Sequence, residues 1–459
     1  MIVELAIWGG CAVFIFTARF AASLSDRRRR RDEWVEAVAA SGLTGVEARG
    51  TLLSDHLRAR AGSLELTIEA RALSEAWRKM DGSGPADGLP SGRVRVTVTG
   101  LAAGVGLAPE KGGLWSRPDV RELQIGDPGF DPHVLLQGPP ALLFALLDPP
   151  TRAQVMQAML WPIKVADGQL VALLEDRFAG GGAGSPLSLM LPAVLRLAEH
   201  LRQPPDLPAL LAAHVREEPM DEVRLWNLVT LAREYPEHPE TREALHHARG
   251  DAYDELRLRA AMMLGPEGRD VLLEFARGAR GDDTCGARAV EALGAALDAG
   301  EAHTLLHRAR DERPFTARAL VQRLGRGSDA AAQRTLARVL AGVDGDLAEA
   351  AATALGSLGP AAEGPLVEGL DHRFDFVRAA AARALGRAGT VAAVLPLREA
   401  EARHPRDAAL RRAAREAVAA IQARTGGGSP GQLSLSAGEA GQVSVAPDLP
   451  GRVSFPGRR

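Results

Sequence analysis

Asp127 and Asp131, in the string Ile125-Gly126-Asp127-Pro128-Gly129-Phe130-Asp131, are the carboxylate pair whose spacing invites an acid/base or metal reading. The Pro-Gly step between them favours a turn, in which the two side chains cap a strand. Gly180-Gly181-Gly182-Ala183-Gly184 stands before a helix as a phosphate cradle would, but no Gly-Lys-Ser/Thr follows, so it lacks the lysine and the magnesium hydroxyl and reads as a flexible loop. Gly104 and Gly106 fail the dinucleotide pattern because Pro109 holds the place of the third glycine. His303 and His307 lie one helical turn apart and could share a metal, yet HTLLH carries no glutamate and no third ligand is evident. Cys285 falls on an apolar helix face and reads as a packed small hydrophobe. His246-His247 receives no role. The residues therefore predict no catalytic, cofactor-binding or metal site, and a chain that is not an enzyme.

The elements around these residues follow from hydrophobic period. Leu64, Leu66, Ile68 and Ala70 alternate with polar residues, as do Val94, Val96 and Val98, which marks half-buried strands. Met80 to Gly92 reads as a loop, and further strands are expected at Val134–Gln137, Ile163–Ala166 and Gln169–Leu174. Asp167-Gly168 between the last two is a tight-hairpin dipeptide, because both central positions need φ > 0. Helices are expected at Ala141–Leu147, Pro149–Leu160 and Pro186–Leu201, the last capped by Ser185. Together these predict a small α+β domain over 40–203.

The second half repeats. Leu264-Gly265, Leu293-Gly294, Leu324-Gly325, Leu355-Gly356 and Leu385-Gly386 place glycines 29, 31, 31 and 30 residues apart. Counting back nine, five, two and one from each glycine gives one apolar helix face: Leu256, Ala260, Met263 and Leu264 in the first unit, and Val377, Ala381, Ala384 and Leu385 in the last. The unit with Thr316 and Leu320 departs at Arg323, so its face is expected to be partly lost. Each glycine is expected to end its helix in a left-handed cap, before a second apolar helix carried by residues such as Leu272, Leu306, Leu336, Leu366 and Leu397. A pair of this size cannot bury its own faces, so neighbours must stack into an α-solenoid over 220–424. An atypical pair at Leu225–Gly250 and a last helix at Ala408–Ala423 read as its caps.

Asp375-Phe376-Val377-Arg378, with Ala381 and Leu385-Gly386, and Asp254-Glu255-Leu256-Arg257, with Ala260, resemble the short bacterial HEAT-type repeat D-x-x-V-R-x-x-A-x-x-x-L-G. Gly286, Ala317 and Ala348 stand at the arginine place in the other units. Upstream, Gly126-Asp127 with Phe130-Asp131, Leu146-Leu147 with Arg152, and Asp167-Gly168-Gln169-Leu170 resemble an uncharacterised bacterial membrane-associated domain that follows membrane segments. The resemblances imply a HEAT-repeat membrane protein. Short HEAT-type repeats also resemble those of bilin-lyase-like proteins, which implies an alternative as enzyme or enzyme accessory, with no catalytic residue to carry over.

Residues 2–24 are apolar apart from Glu4 and Arg19, long enough for a transmembrane helix, and Arg27, Arg28, Arg29, Arg30 and Arg31 follow at once. By the positive-inside rule this predicts a single-pass inner-membrane protein, N-terminus out, with the bulk of the chain cytoplasmic. The organisation expected is a transmembrane helix at 1–24, a basic juxtamembrane segment at 25–39, the α+β domain at 40–203, a linker helix at 204–219, the solenoid at 220–424 and a disordered Gly/Ser-rich tail at 425–459. In that tail, Gly431, Gly441 and Gly451 begin three copies of a short strand-like motif.

A net charge of −3 gives no support to a nucleic-acid partner, the remaining alternative. Arginines such as Arg257, Arg308, Arg378 and Arg412 are interspersed with acids and are expected to form a solvated face. With Cys11 and Cys285 the only cysteines, no disulfide framework is expected. The function expected is a membrane-anchored scaffold that binds a protein partner through its solenoid, without cofactor.

Overall fold

The computed structural model describes residues 25, 27–51, 54–71, 93–110, 123–175, 185–204, 206–327, 329–424, 433–435 and 443–445. Two compact units divide the chain, one through Ala248 and one from Arg249.

The first unit carries an antiparallel sheet in the order β1-β2-β3-β4-β8-β7-β5-β6. Its strands are β1 (Thr44–Gly50), β2 (Ser54–Ala61), β3 (Leu64–Arg71), β4 (Arg93–Thr99), β5 (Gly106–Pro109), β6 (Val134–Gln137), β7 (Ile163–Ala166) and β8 (Gln169–Glu175). The alternation of β3 and β4 is realised cross-strand, Leu66 opposite Val98 and Ile68 opposite Val96, all fully buried. Asp167 and Gly168 join β7 to β8 with φ of 53° and 73°, the pair of positive values the tight turn requires. Strands β1, β2 and β5 were not expected. In β2 the inward places are Asp55, Leu57 and Ala59, so a charge and a small residue break the apolar period.

Asp55 explains a correction. The run Arg27–Arg31, expected as a juxtamembrane topology signal, opens α1 (27–40), and its 27, 30, 31 face turns onto this buried carboxylate. Arg27 Nε is 3.0 Å, Arg30 Nη2 3.1 Å and Arg31 Nη1 2.6 Å from Asp55, which is 1% exposed. Three of the five arginines thus serve a buried ion cluster of the sheet. The transmembrane expectation is corrected in the same way: no helix among the described residues is long and apolar enough to cross a membrane. Residues 2–24, which carried that expectation, lie outside the described residues, as do the loop at 80–92 and the glycine run at 180–184. The fold is thus an antiparallel-sheet unit and a helical unit, and the single-pass inner-membrane placement is withdrawn.

Burial alone would push the Asp55 carboxyl up; hydrogen bonds and charge from Arg27, Arg31 and Arg30 outweigh it and hold the group below its ordinary 3.8. A carboxyl depressed in the folded state stabilises fully above its unfolded value and loses that contribution as pH falls through the folded value. First-unit unfolding midpoints are therefore expected to fall on acidification below about pH 4, and Asp55→Asn should flatten that limb of the profile. An unchanged acid limb in the variant would remove Asp55 from this role.

Helices complete the first unit: α2 (Pro140–Leu146), α3 (Pro149–Ala158), α4 (Pro186–His200), α5 (Leu207–Glu217), α6 (Asp221–Glu234) and α7 (Pro239–Ala248). Asp148, Ser185 and Asp206 cap α3, α4 and α5 by accepting backbone amides, which satisfies donors a helix start leaves open. Helices α5 and α6 pack on each other and on α2.

The second unit alternates A helices, α8 (Asp254–Leu264), α10 (Asp283–Leu293), α12 (Pro314–Leu324), α14 (Gly345–Leu355) and α16 (Asp375–Ala388), with B helices, α9 (Arg269–Ala276), α11 (Ala299–Ala309), α13 (Ala330–Leu340), α15 (Glu363–Gly369) and α17 (Val394–Arg403). Helix α18 (Ala408–Arg424) follows and packs on α16 and α17. Successive A helices pack directly from α10 to α16, giving one continuous core from Leu258 to Ile421.

Two expectations about these repeats are corrected. The glycine ends a helix with positive φ only at Gly265 (59°) and Gly294 (46°), whereas Gly325 and Gly356 are right-handed, with φ of −68° and −60°. Their reason is contact. A Cβ on Gly325 would lie 2.6 Å from Ala354 Cβ, and one on Gly356 2.9 Å from Ala384 Cβ, so glycine lets the next A helix close in. Nor is the face of α12 lost at Arg323: Thr316, Leu320 and Leu324 are buried, and Arg323 reaches back to the carbonyls of Gly294 and Leu297. In the tail, Leu433–Leu435 and Val443–Val445 pair antiparallel, so these two motif copies form a short ladder where disorder was expected.

Candidate functional site

The turn that carries Asp127 and Asp131 is the most elaborated polar feature of the first unit. Asp131 accepts the amides of Ile125 (3.1 Å) and Gly126 (2.9 Å), and Asp127 Oδ1 accepts that of Gly129 (2.8 Å). The other Asp127 oxygen lies 2.9 Å from Arg152 Nε. Arg152, on α3, then forks onto Glu218, its Nη1 and Nη2 donating at 3.0 and 2.9 Å, and Nη1 also donates to the Leu147 carbonyl at 2.9 Å. A planar fork with donors on both edges is what two carboxylates and a carbonyl need at once. Burial would lower the Arg152 pKa, but Glu218 and Asp127 outweigh it and raise it, so the guanidinium stays charged.

This buried Asp127–Arg152–Glu218 triad ties the 125–133 turn, the start of α3 and the α5–α6 junction. Asp127 and Arg152 were visible in the sequence. Glu218 was not, since nothing in its local pattern separates it from an exposed helix-end glutamate.

Beside the turn opens a cleft of about 830 Å³ lined by Glu110, Gln124, Gly126, Asp131, Asp221 and Glu222, among others. Asp221 pairs with Arg224 at 2.7 Å, and Asp131 is held by the turn. Among the described residues the lining supplies carboxylates and no histidine, serine or cysteine. Among the described residues no group of three or more His, Cys, Asp or Glu could hold a metal.

No family model matches this chain. No curated protein matches it either. Among solved structures, human deoxyhypusine hydroxylase in complex with glycerol is similar to 47% of this chain over 96% of its own, at 17% identity and a TM-score of 0.20. Likeness at that level carries no argument about fold or activity.

The remaining singled-out residues lie apart in the second unit. His303 Nδ1 is 3.0 Å from Thr335 Oγ1, a link between α11 and α13, and His303 and His307 are both exposed. Cys285 is half-buried against the core, and burial leads the causes that raise its thiol pKa, which keeps it protonated and unreactive. Neighbouring Asp282 caps α10, and bonds from Thr284 and the Cys285 amide lower it to about 2.

What the period did not reveal is an apolar edge. Phe315 and Phe376 stand ten residues before Gly325 and Gly386, at matching places of α12 and α16, and Val343 precedes α14 between them. They are 60%, 37% and 70% exposed respectively. Phe374 stacks on Phe376 at 5.5 Å and Arg373 covers Phe374 at 4.8 Å, so this end of the edge is fixed.

Proposed function

We propose that the chain is a helical-repeat interaction protein whose second unit binds a partner protein along the edge formed by Phe315, Val343 and Phe376. The single observation behind this reading is the exposure of large apolar groups at matching places of α12 and α16, with a third, Val343, in the loop before the A helix between them. Isolated apolar residues are ordinary on a protein surface, whereas several of them recurring from one repeat to the next have the composition of a contact patch. Resemblance of the repeats to the HEAT type agrees with such a role.

The full chain and a Phe315→Ser/Val343→Ser/Phe376→Ser variant, compared by cross-linking mass spectrometry in the native host, test it. Cross-links from residues 311–316, 341–346 and 372–378 to a partner are expected in the natural chain and absent in the variant. Identical partners and cross-linked sites in both would end this reading.

A further inference from the structure

The exposed side of the B helices carries charge in a definite order. The place two residues after the matching core leucines Leu272, Leu306, Leu336, Leu366 and Leu397 is occupied by Glu274, Arg308, Arg338, Glu368 and Glu399. Two successive arginines are thus bounded by acids on both sides. Arg334 stands one helical turn before Arg338, about 6 Å along α13, and all three arginines are exposed. His303 and His307 lie on the neighbouring α11, and the His303–Thr335 contact sets that helix beside α13.

Some arginines of this unit have carboxylate partners, among them Arg257 with Glu274 at 2.5 Å, Arg269 with Glu301 at 2.6 Å, Arg288 with Glu255 at 2.6 Å and Arg378 with Asp407 at 2.8 Å. Arg308, Arg334 and Arg338 have no carboxylate within ion-pair distance among the described residues. Arg257 and Arg378 are thus acid-paired and largely buried, whereas Arg308, Arg334 and Arg338, like Arg412, are exposed.

We infer that this face takes a short acidic segment of a partner protein. The inference rests on the protein-binding reading above and gives that partner a chemistry. Arg334 and Arg338 are about one helical turn apart, and adjacent B helices lie roughly 8–10 Å apart, so Arg308 stands about two turns of a partner helix from them. Two or three Asp or Glu side chains spaced by one to two turns match this spacing, each guanidinium donating to a carboxylate through its fork. Glu274 is already paired with Arg257, and Glu368 and Glu399 would repel an anion that ran past the patch, which sets its length. That bound disfavours a nucleic acid, whose affinity grows from many phosphate contacts along a track.

The test uses the full chain and a short labelled oligoglutamate, followed by fluorescence anisotropy at low ionic strength, with a single-stranded DNA of matched charge as second probe. Two surface triples are compared: Arg308→Glu/Arg334→Glu/Arg338→Glu, and Arg326→Glu/Arg406→Glu/Arg412→Glu, which changes net charge equally elsewhere. We expect the first to weaken oligoglutamate binding by about tenfold or more and the second to leave it within about twofold. Equal loss in both triples, no loss in the first, or tighter binding of DNA than of oligoglutamate overturns the inference. The apolar-edge variant of the preceding section should keep oligoglutamate binding, so failure of one reading is separable from failure of the other.

Discussion

Truncation of Arg152 to alanine is expected to lower the stability of the first unit by about 3–5 kcal/mol, the range for breaking a buried ion pair by removing one partner. Glu218 is 1% and Asp127 14% exposed, so both carboxylates would stay desolvated without their shared cation. The Leu147 carbonyl would lose its donor as well. Lysine offers a point charge in place of a fork and cannot serve two carboxylates and a carbonyl, so Arg152→Lys should recover only a minor part. The measurement is direct, because no tryptophan follows Ala248 and the described Trp34, Trp161 and Trp226 belong to the first unit, so fluorescence during denaturation follows it. A loss under about 1 kcal/mol would mean that the triad is solvated and that the turn holds without it.

Gly325→Ala is expected to destabilise the second unit by about 1–3 kcal/mol, the usual cost of overpacking. The added Cβ would sit 2.6 Å from Ala354 Cβ and 2.9 Å from its Cα, so relief requires two helices to part. Because φ at Gly325 is −68°, alanine carries no backbone strain there and the effect is steric alone. Gly327, two residues on, has only the Leu324 carbonyl near, at 3.7 Å, and Gly327→Ala should stay within about 0.5 kcal/mol. Far-UV circular dichroism under denaturant reads the pair. Equal effects at both positions would contradict the close-approach account and favour a conformational role.

These two results separate what the sequence displays from what only packing reveals. Strands with a full apolar period, such as Val94, Val96 and Val98, were legible because burial and pattern coincide. Strand β2 was not, because an inward aspartate is affordable only where Arg27, Arg30 and Arg31 converge on it from another element. The repeat phase was legible from leucine and glycine alone. The purpose of the glycine was not, since a chain-reversal glycine and a close-contact glycine are the same letter. Asp127 and Arg152 stood out in the turn, while Glu218, 66 residues from Arg152, entered only through three-dimensional proximity. The apolar edge and the arginine face escaped because each is assembled from residues of different repeats.

The reach of Arg323 to the carbonyls of Gly294 and Leu297 has a counterpart in Arg424, which donates to those of Gly386 and Gly389, and in Arg387, which donates to Thr353. In each case an arginine from a later A helix, or from α18 at the end of the series, satisfies acceptors that an earlier helix leaves open. The array consequently has a direction: such a unit is left unfinished until its successor arrives. Synthesis from the N-terminus would leave the growing end short of donors, and α18, the last helix among the described residues, closes the series they form.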